Sequence, residues 1–379
     1  MGVYENLGVK RIINGVGSGT AIGGSIMRPE VLDAMREASR SYVRLPELLE
    51  KAGKRIAELA GVDSAYITAG AAAGITVAVA ACMAGKDNAK IHQLPSTNGM
   101  KDQVIIQAMQ KNFYELMIRL AGADLVEIGL ANGTEDYHLE SAITERTAAI
   151  VHFVAYAPSS DIKIEKVIEI AHKNDVPVIV DAAAEFPPFS QLRRWADMGA
   201  DITVFSGGKG IRGPQSTGLI LGRKDLIEAC SMNASPNHGV GRPSKVGKEE
   251  IAGLVTAIEL FANEEVEQSE IGKWVEISSD IVDSMSGFSG VNAYRLDAPP
   301  TNDPYGSGAA PEGVPIACVD WDMESILKTP EAVAEALDNG TPSILVTPSA
   351  TGIRIVSHTL ERGDQQVIVS RLADILMSA

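Results

Sequence analysis

The sequence predicts an α/β protein: a mostly parallel central sheet with helices on both faces, joined to a smaller α+β lobe. Three observations predict it. From about residue 64 to residue 222, short β-rich runs alternate with helical patterns, which is what strand–helix–strand crossovers look like in sequence. Several of those helical patterns end at Gly or Asn, as helix C-termini prefer. Both chain ends depart from the alternation, the first being helical and the last richer in strands.

Taken in order, "RPEVLDAMREASRSYVRLPELLEKAGKRIAELAG" reads as two amphipathic helices broken at Leu45-Pro46. The expected strands are 64–68, 103–107, 124–129, 148–155, 176–181, 201–206 and 216–222, and the segments between them carry helical spacing. A long helical stretch runs from Lys245 to about Met285 with an interruption near Asn263. Beyond it come strands in "VNAYRLD", "GVPIACVDWD" and "TGIRIVSH", a loop over 301–313, and a last helix from Gly363. The expected organisation is a large domain over 50–262 and a smaller one built from 1–49 and 263–379.

Composition narrows the function classes. The formal charge of −16, from 33 basic and 49 acidic residues, opposes a broad nucleic-acid footprint, which needs a basic stripe. It leaves room for one basic pocket, and Lys209, Arg212, Arg223 and Lys224 lie close enough in sequence to suggest one. No apolar run is long enough for a membrane-spanning helix, and the start lacks a secretion-signal pattern, so the expected location is the cytoplasm. Cys82, Cys230 and Cys318 have no metal-ligand spacing and read as reduced thiols. No metal is expected.

Two glycine-rich stretches fail the nucleotide motifs they superficially suggest. In "GVGSGTAIGG" (15–24), Thr20 and Ile22 stand where a G-x-G-x-x-G fingerprint needs its third glycine. In "FSGGKGIRGP" (205–214), Lys209 is followed by Gly210 and preceded five residues earlier by Val204, so a P-loop is excluded. What remains is a lysine set among glycines just past a strand. "VPVIVDAAAEF" places Asp181 at the end of the preceding strand, and ligands of open parallel sheets sit beyond such ends. A structural ion pair is the alternative for Asp181 and Lys209. A third feature is "TAGAAAG", where a helix opens on Ala and Gly and its backbone N–H groups stand accessible to an anion.

A phosphate seat, a carboxylate and a nucleophilic lysine are together what pyridoxal 5'-phosphate (PLP) requires. Glycines at 207, 208 and 210 would let the backbone fold around that cofactor.

The stretches "INGVGSGTAIGGSIMRPEVLDAMREAS", "LPELLEKAGKRIAELAGVDSAYITAGAAAG", "VDAAAE" and "FSGGKGIRGPQSTGLILGR" resemble the selenocysteine-synthase-related, fold-type-I PLP enzymes, in particular the D-glucosaminate-6-phosphate ammonia-lyase branch. The resemblance implies the fold-type-I PLP-dependent transferase fold. It implies Lys209 as the Schiff-base lysine and Asp181 as the pyridine-nitrogen partner. Ser206 and the backbone of Ala71, Ala72 and Ala73 would be phosphate ligands. It further implies a homodimer or larger homo-oligomer with interfacial sites, in which "GPQST", including Thr217, serves a neighbour's cofactor. Arg354 stands where the fold commonly holds a substrate carboxylate, with a surface-strand arginine as the alternative; Arg212 is the other candidate for anionic substrate groups. The ring-stacking position, often histidine in relatives, holds Gln110. The basic N-terminal tRNA-binding domain of selenocysteine synthase has only "MGVYENLGVK" in its expected place.

The expected activity is therefore that of a PLP-dependent ammonia-lyase acting on a small amino acid by α-proton abstraction and β-elimination. A seryl-tRNA selenium transferase and an amino-acid racemase are the enzymatic alternatives, and a non-catalytic binding protein is the third class.

Overall fold

The computed structural model describes residues 2–298 and 310–377. In chain order its elements begin with α1 (Val3–Asn6), β1 (Ile12–Asn14), α2 (Pro29–Ala38), α3 (Leu45–Ala60), β2 (Ser64–Thr68), α4 (Gly70–Ala84), α5 (Asn88–Gln93), β3 (Gln103–Gln107) and α6 (Glu115–Leu120). Next are β4 (Asp124–Ile128), α7 (Asp136–Ala142), β5 (Thr147–Phe153), α8 (Ile164–Lys173), β6 (Val178–Asp181), α9 (Gln191–Asp197), β7 (Ile202–Ser206), β8 (Gly218–Gly222) and α10 (Lys224–Asn233). The chain ends with α11 (Lys248–Phe261), α12 (Glu264–Met285), β9 (Val291–Asp297), β10 (Pro315–Trp321), α13 (Pro330–Asp338), β11 (Ser343–Leu345), β12 (Thr347–Pro348), β13 (Gly352–Val356) and α14 (Asp364–Met377).

Contacts divide the chain into two compact units, residues 23–264 and residues 1–22 with 265–379. The larger unit holds a seven-stranded sheet in the order β2-β8-β7-β6-β5-β3-β4. Within it β8 runs antiparallel to both its neighbours and the other strands run parallel to one another. Burial on both faces explains why β5 and β6 read as continuous apolar runs rather than alternating ones; every residue of both strands is buried. Helix α4 is apolar all round and packs against β7, β8, α6 and α10, as a fully enclosed helix must. Because the strands are parallel, Thr68, Phe153, Asp181 and Ser206 all emerge along one edge of the sheet. That edge is where the topology can build a site.

The smaller unit contains an antiparallel sheet, β12-β13-β10-β9, and a separate parallel pair, β1 with β11. Its core joins Ile277 and Ile281 of α12, Val319 and Trp321 of β10, and Ile368 and Leu372 of α14. The N-terminal strand thus belongs with the C-terminal lobe, through Ile12–Ser343, Ile13–Ile344 and Asn14–Leu345 pairing.

Two differences from the sequence-based expectation have clear causes. Residues 23–49 fall in the larger unit, not the smaller one, because α2 packs on α11. Val31 is fully buried, Lys248 Nζ donates to the Ala38 carbonyl at 2.8 Å, and a Cβ at Gly253 would lie 2.9 Å from Met35 Cγ. Helices α2 and α3 are separated by residues 39–44, and Pro46 sits inside the first turn of α3, where its missing N–H costs nothing. Of the loop expected over 301–313, residues 301–309 lie outside the described residues. Among the described residues no helix is long and apolar enough to cross a membrane.

Strand β2 is an edge strand, and α3 lies against it through Gly53, where a Cβ would fall 2.2 Å from the Ala65 carbonyl oxygen. An alanine in a helix interior is ordinarily favoured over glycine by about 1 kcal/mol. Here the backbone contact reverses the sign: Gly53→Ala is expected to destabilise the protein by about 1–3 kcal/mol, read as a lower urea midpoint at unchanged slope.

Candidate active site

The edge of the sheet formed by strand ends brings together residues far apart in sequence. Asp181 ends β6 in register with Val204 of β7, and the Ala182 N–H donates to the Val204 carbonyl at 2.9 Å. Two residues further along β7 stands Ser206, paired with Gly218 of β8, which is itself paired with Thr68 of β2. Gly218 has no room for a side chain: a Cβ there would lie 2.3 Å from the Gly70 carbonyl carbon. The absence of that methyl is what lets the start of α4 approach the end of β7. Helix α4 begins without a side-chain cap, since Ala69 offers no acceptor, and Ala71, Ala72 and Ala73 are half-buried in its first turn. Through Gly218 the half-buried Ser206 is thus brought near the start of α4, the positive end of its dipole.

Lys209 follows on the loop from β7 to β8. Burial lowers the proton affinity of its amine, while Asp181 first and Glu185 second act to raise it. Asp181 is 8% exposed, and burial pushes its carboxyl up to about 6, against the pull of Lys209 and of the Ala183 N–H, which donates to Oδ1 at 3.0 Å. An amine with lowered proton affinity acted on by a carboxyl with raised proton affinity is a pattern that marks candidate functional sites.

The glycines of this loop serve packing of the chain on itself. A Cβ at Gly207 would meet Thr217 Oγ1 at 2.1 Å, one at Gly208 would meet Gln215 Cα at 2.3 Å, and one at Gly210 would meet the Phe186 carbonyl oxygen at 1.9 Å. A methyl at any of these positions would collide with the chain itself, with the Thr217 side chain at Gly207 and with backbone at Gly208 and Gly210. The loop is further pinned by residues 25 and 26. Ser25 Oγ donates to the Gly208 carbonyl at 3.1 Å, and Arg212 Nε donates to the Ile26 carbonyl at 2.8 Å. Arg212 closes a turn onto the Lys209 carbonyl at 2.9 Å and holds φ at +58°, a left-handed conformation costing a non-glycine residue about 1–2 kcal/mol.

Several sequence-predicted residues are placed differently from expectation. Thr217 is fully buried within its own loop, its hydroxyl donating to the Pro214 carbonyl at 2.6 Å, so it is not presented to a neighbouring chain; Gln215 and Ser216 are the exposed residues of that stretch. Arg212 is 8% exposed and binds backbone through Nε. Arg223 and Lys224 do not join Lys209 in one basic pocket. Strand β8 carries the chain back to the opposite edge of the sheet, where Arg223 pairs with Asp201 and Asp225, both at 2.8 Å. Arg354 lies in the smaller unit on β13, half-buried, with Nη1 2.6 Å from Asp320 Oδ1; Tyr294 donates its hydroxyl to the other oxygen of Asp320 at 3.0 Å.

Gln110 departs furthest. It is fully buried, and its side chain is consumed by a polar clasp rather than offered to a ligand ring. Oε1 accepts from the Phe153 N–H at 2.9 Å, and Nε2 donates to Asp161 Oδ2 at 3.2 Å and faces His152 Nδ1 at 3.3 Å. Thr134 Oγ1 donates to Asp161 Oδ1 at 3.0 Å, so the clasp ties three loops above β3, β4 and β5. Burial holds His152 down to about 4, which makes it a neutral partner.

Two residues beside the site escaped the sequence-based selection. Glu185 is 3% exposed and acts electrostatically on Lys209. Its signal was present in "VDAAAEF", a second carboxylate on the turn that leaves a strand-end aspartate. Tyr156 follows β5, which is in register with β6 at Phe153–Asp181; its phenol is pushed up by burial, then by Tyr114 and by Asp181. An isolated tyrosine in "FVAYAP" carried no such signal.

A family model described as SelA: L-seryl-tRNA selenium transferase matches residues 12–283. The chain belongs to the SelA family. Within the curated proteins, this SelA-family chain is 37% identical over 265 residues to a D-glucosaminate-6-phosphate ammonia lyase of Salmonella typhimurium, covering 68% of this chain and 70% of that protein. It is also 37% identical over 263 residues to a 5'-C-glycyluridine monooxygenase-decarboxylase of a Streptomyces species, covering 67% and 64%. To the L-seryl-tRNA(Sec) selenium transferase of Aquifex aeolicus it is 26% identical over 286 residues, covering 67% and 58%. The chain therefore spans less than two thirds of the length of the last two relatives.

A solved structure of D-glucosaminate-6-phosphate ammonia-lyase matches with a TM-score of 0.85 at 30% identity, over 99% of this chain and 98% of that one. A serine palmitoyltransferase structure matches with a TM-score of 0.59 at 13% identity, over 97% and 87%, a likeness of fold alone. The SelA-family chain thus has the fold-type-I fold, and the resemblance to the ammonia-lyase branch holds.

Two measurements test the electrostatics of the site. Gln110→Ala is expected to lower stability by about 2–4 kcal/mol in urea unfolding, because Asp161 and the Phe153 N–H lose a buried partner. For Asp181 in the cofactor-free protein, the folded-state value of about 6 lies above the ordinary 3.8, so the folded chain binds the extra proton. The associated stability is fully present below the ordinary value and lost as pH rises through 6. Relative to Asp181→Asn, the parent should lose on the order of 3 kcal/mol between about pH 4 and 6, read from urea midpoints across that range.

Proposed function

We propose that this chain is a PLP-dependent ammonia-lyase that acts on a small β-hydroxy amino acid, with or without a terminal phosphate. The observation that carries the reading is the half-buried Lys209, on the loop after β7 and under the electrostatic influence of Asp181 at the end of the adjacent β6, together with an uncapped helix start. The residues present fit the cofactor. Space kept clear at Gly218 joins the α4 start to Ser206, and no protein side chain caps the helix there. Ser206 and the N–H groups of Ala71, Ala72 and Ala73 would hold the phosphate, Asp181 would face the ring nitrogen, and Lys209 would carry the aldehyde. When bound, the cofactor supplies an electron sink for the charge left at the substrate Cα.

The remaining chemistry falls to the protein. Once freed by substrate, the Lys209 amine would be the base that takes the α-proton, and burial, which lowers its proton affinity, favours the neutral form that can do so. Asp181, held in its anionic form by a cationic partner, stabilises positive charge at the ring nitrogen. The proton taken from Cα would be given to the departing β-hydroxyl, which leaves as water, and the enamine that remains takes up one water to give ketone and ammonia. Arg354 is the proposed seat of the substrate carboxylate; an arriving carboxylate would compete with Asp320 for the guanidinium. Arg212 is proposed chiefly as a strap of the lysine loop, through its bond to Ile26.

The assembly is proposed to be a homo-oligomer, with Gln215 and Ser216 rather than Thr217 as the part of the loop that faces a neighbour. The proposed location is the cytoplasm, in keeping with three free thiols. The family description favours one second reading, transfer of selenium to seryl-tRNA. Against it stands the charge of −16. Salt-sensitive, tight tRNA binding in a filter assay would replace the lyase reading by that one.

The test is direct. Purified protein should absorb near the visible edge, borohydride should fix the cofactor on the peptide containing Lys209, and Lys209→Ala should show neither. Incubation with D- and L-β-hydroxy amino acids, with and without a terminal phosphate, should release ammonia from one series, with activity reduced at least about 1000-fold in Lys209→Ala, on the order expected when a general base is lost. Formation of the mirror-image amino acid without ammonia would identify a racemase instead.

A further inference from the structure

The antiparallel sheet of the smaller unit has two unlike faces. Side chains alternate along its strands, and Ala317 and Val319 of β10 with Ile353 and Ile355 of β13 point into the core made with α12, α13 and α14. The opposite face carries Tyr294, Asp320 and Arg354, one from each of three neighbouring strands. Asp320 stands on the central strand, opposite Gly352 of β13 and Asn292 of β9, and its carboxylate reaches diagonally to both sides. Arg354 Nη1 donates to Oδ1 at 2.6 Å, and the Tyr294 hydroxyl donates to Oδ2 at 3.0 Å. Gly352 keeps the first path open, since a Cβ there would lie 2.8 Å from Oδ1. Nη1 also donates to the Ile353 carbonyl at 3.0 Å, so both of its protons are taken. Nη2 comes no nearer to the Tyr294 hydroxyl than 3.5 Å, and Nε has no hydrogen-bond partner among the described residues. One end of the guanidinium is therefore occupied by Asp320. The Nε–Nη2 edge, which can take a carboxylate through two parallel N–H bonds, is left. The side chains of Arg354 and Asp320 are 19% and 17% exposed, so the pair is reachable by a ligand yet largely out of water.

We propose that Asp320 is a specificity-determining residue of the substrate seat: a resident counter-charge that weakens the hold of Arg354 on a carboxylate. The inference rests on the reading above in which Arg354 seats the substrate carboxylate. With Asp320 in place, an arriving carboxylate meets two directed N–H donors but no net positive charge, because the cation is already paired. It also comes close to a second anion, and two like charges in a half-buried place repel more strongly than they do in water. The Tyr294 hydroxyl gives Asp320 a donor that does not depend on Arg354, so the acid keeps its place when the guanidinium is shared. The consequence is a seat that orients more than it grips. In the proposed reaction the substrate carboxylate takes no part in the bond changes and persists in the product. A tight hold on it would stabilise bound substrate, transition state and product alike, without speeding the chemistry. A seat with its own counter-ion directs the carboxylate and still lets the product leave.

The experiment titrates purified holoenzyme with D- and L-serine, and with the two serinamides, and follows the bound cofactor's absorbance. Serinamide has the same amine and hydroxyl without the carboxylate, so the ratio of its Kd to that of serine isolates the carboxylate. In Asp320→Asn, which keeps the size and one acceptor oxygen, that ratio should rise by about tenfold or more through tighter serine binding, as removal of a nearby like charge predicts. Arg354→Met should bring the ratio down toward unity. An unchanged or lower ratio in Asp320→Asn overturns the proposal and leaves Asp320 as a prop for the arginine; should that variant not fold, Asp320→Ser is read the same way. No response to either serine, in the parent and in Asp320→Asn alike, overturns it as well. A ratio that Arg354→Met leaves unaltered removes the seat itself, a result distinct from failure at Asp320 alone. A second arm uses cofactor-free protein and acetate as the probe. Acetate should protect Arg354 from phenylglyoxal, and half-protection should need about tenfold less acetate in Asp320→Asn. If the parent carries no cofactor at all, the lyase reading fails and the acetate arm alone reports on Asp320, so the two failures are distinguishable.

Discussion

A half-buried lysine amine has to be held near a buried carboxylate, and most of the larger unit follows from that requirement. Taking either charge out of water has an effective cost of several kcal/mol per ion, so neither group persists there alone. A parallel sheet is a means of satisfying it. Strands β6 and β7 are adjacent and run the same way, so Asp181 and the loop bearing Lys209 leave the sheet at the same edge. The strands themselves are continuous apolar runs whose own burial stabilises the arrangement. The antiparallel β8 completes it by bringing Gly218 between Ser206 and Thr68.

The loop that carries the lysine is not a flexible tether. Its backbone is pressed against Phe186, Gln215 and Thr217 so closely that three positions exclude even a methyl group. Residues 25 and 26 are bonded to it through Ser25 and Arg212, and Arg212 accepts a left-handed backbone to close the turn. A conformation that costs a non-glycine residue about 1–2 kcal/mol survives only where its neighbours over-determine it. Freedom is therefore concentrated in the lysine side chain while its Cα is fixed. On the proposed reading, that division suits an amine that serves two partners in turn from one anchor.

The strands of the sheet, and the convergence of Asp181 with Lys209, were legible because both are local signals: apolar runs of strand length, ended by a charged residue or a glycine turn. What was not legible depended on where partners come from. Gln110 looked available because nothing nearby in sequence claims it; its partners, His152, Phe153 and Asp161, arrive from β5 and the loop beyond. Arg223 looked like a neighbour of Lys209 because the sequence does not show that β8 turns back across the sheet. Thr217 was assigned to a neighbouring chain, yet its hydroxyl is used three residues away. The glycines were recognised as close-approach positions, but sequence alone could not say that the approaching group is the chain's own backbone.

The charges of the site also explain why such a pocket is poorly balanced when considered as protein alone. Burial raises Asp181 to about 6 and lowers Lys209, so each group is biased toward its neutral form despite the other. Two neutral groups would relieve the desolvation cost but forfeit their attraction. On the proposed reading, a protonated ring nitrogen facing Asp181 would restore the carboxylate's charge, and a covalent link would remove the need for a free ammonium. Ligand binding of that kind adds its free energy to folding in proportion to the logarithm of saturation. On that reading the imbalance is part of the function: a site already satisfied by its own side chains would gain little from a ligand, whereas here a ligand would restore the charge of one group and take up the amine of the other.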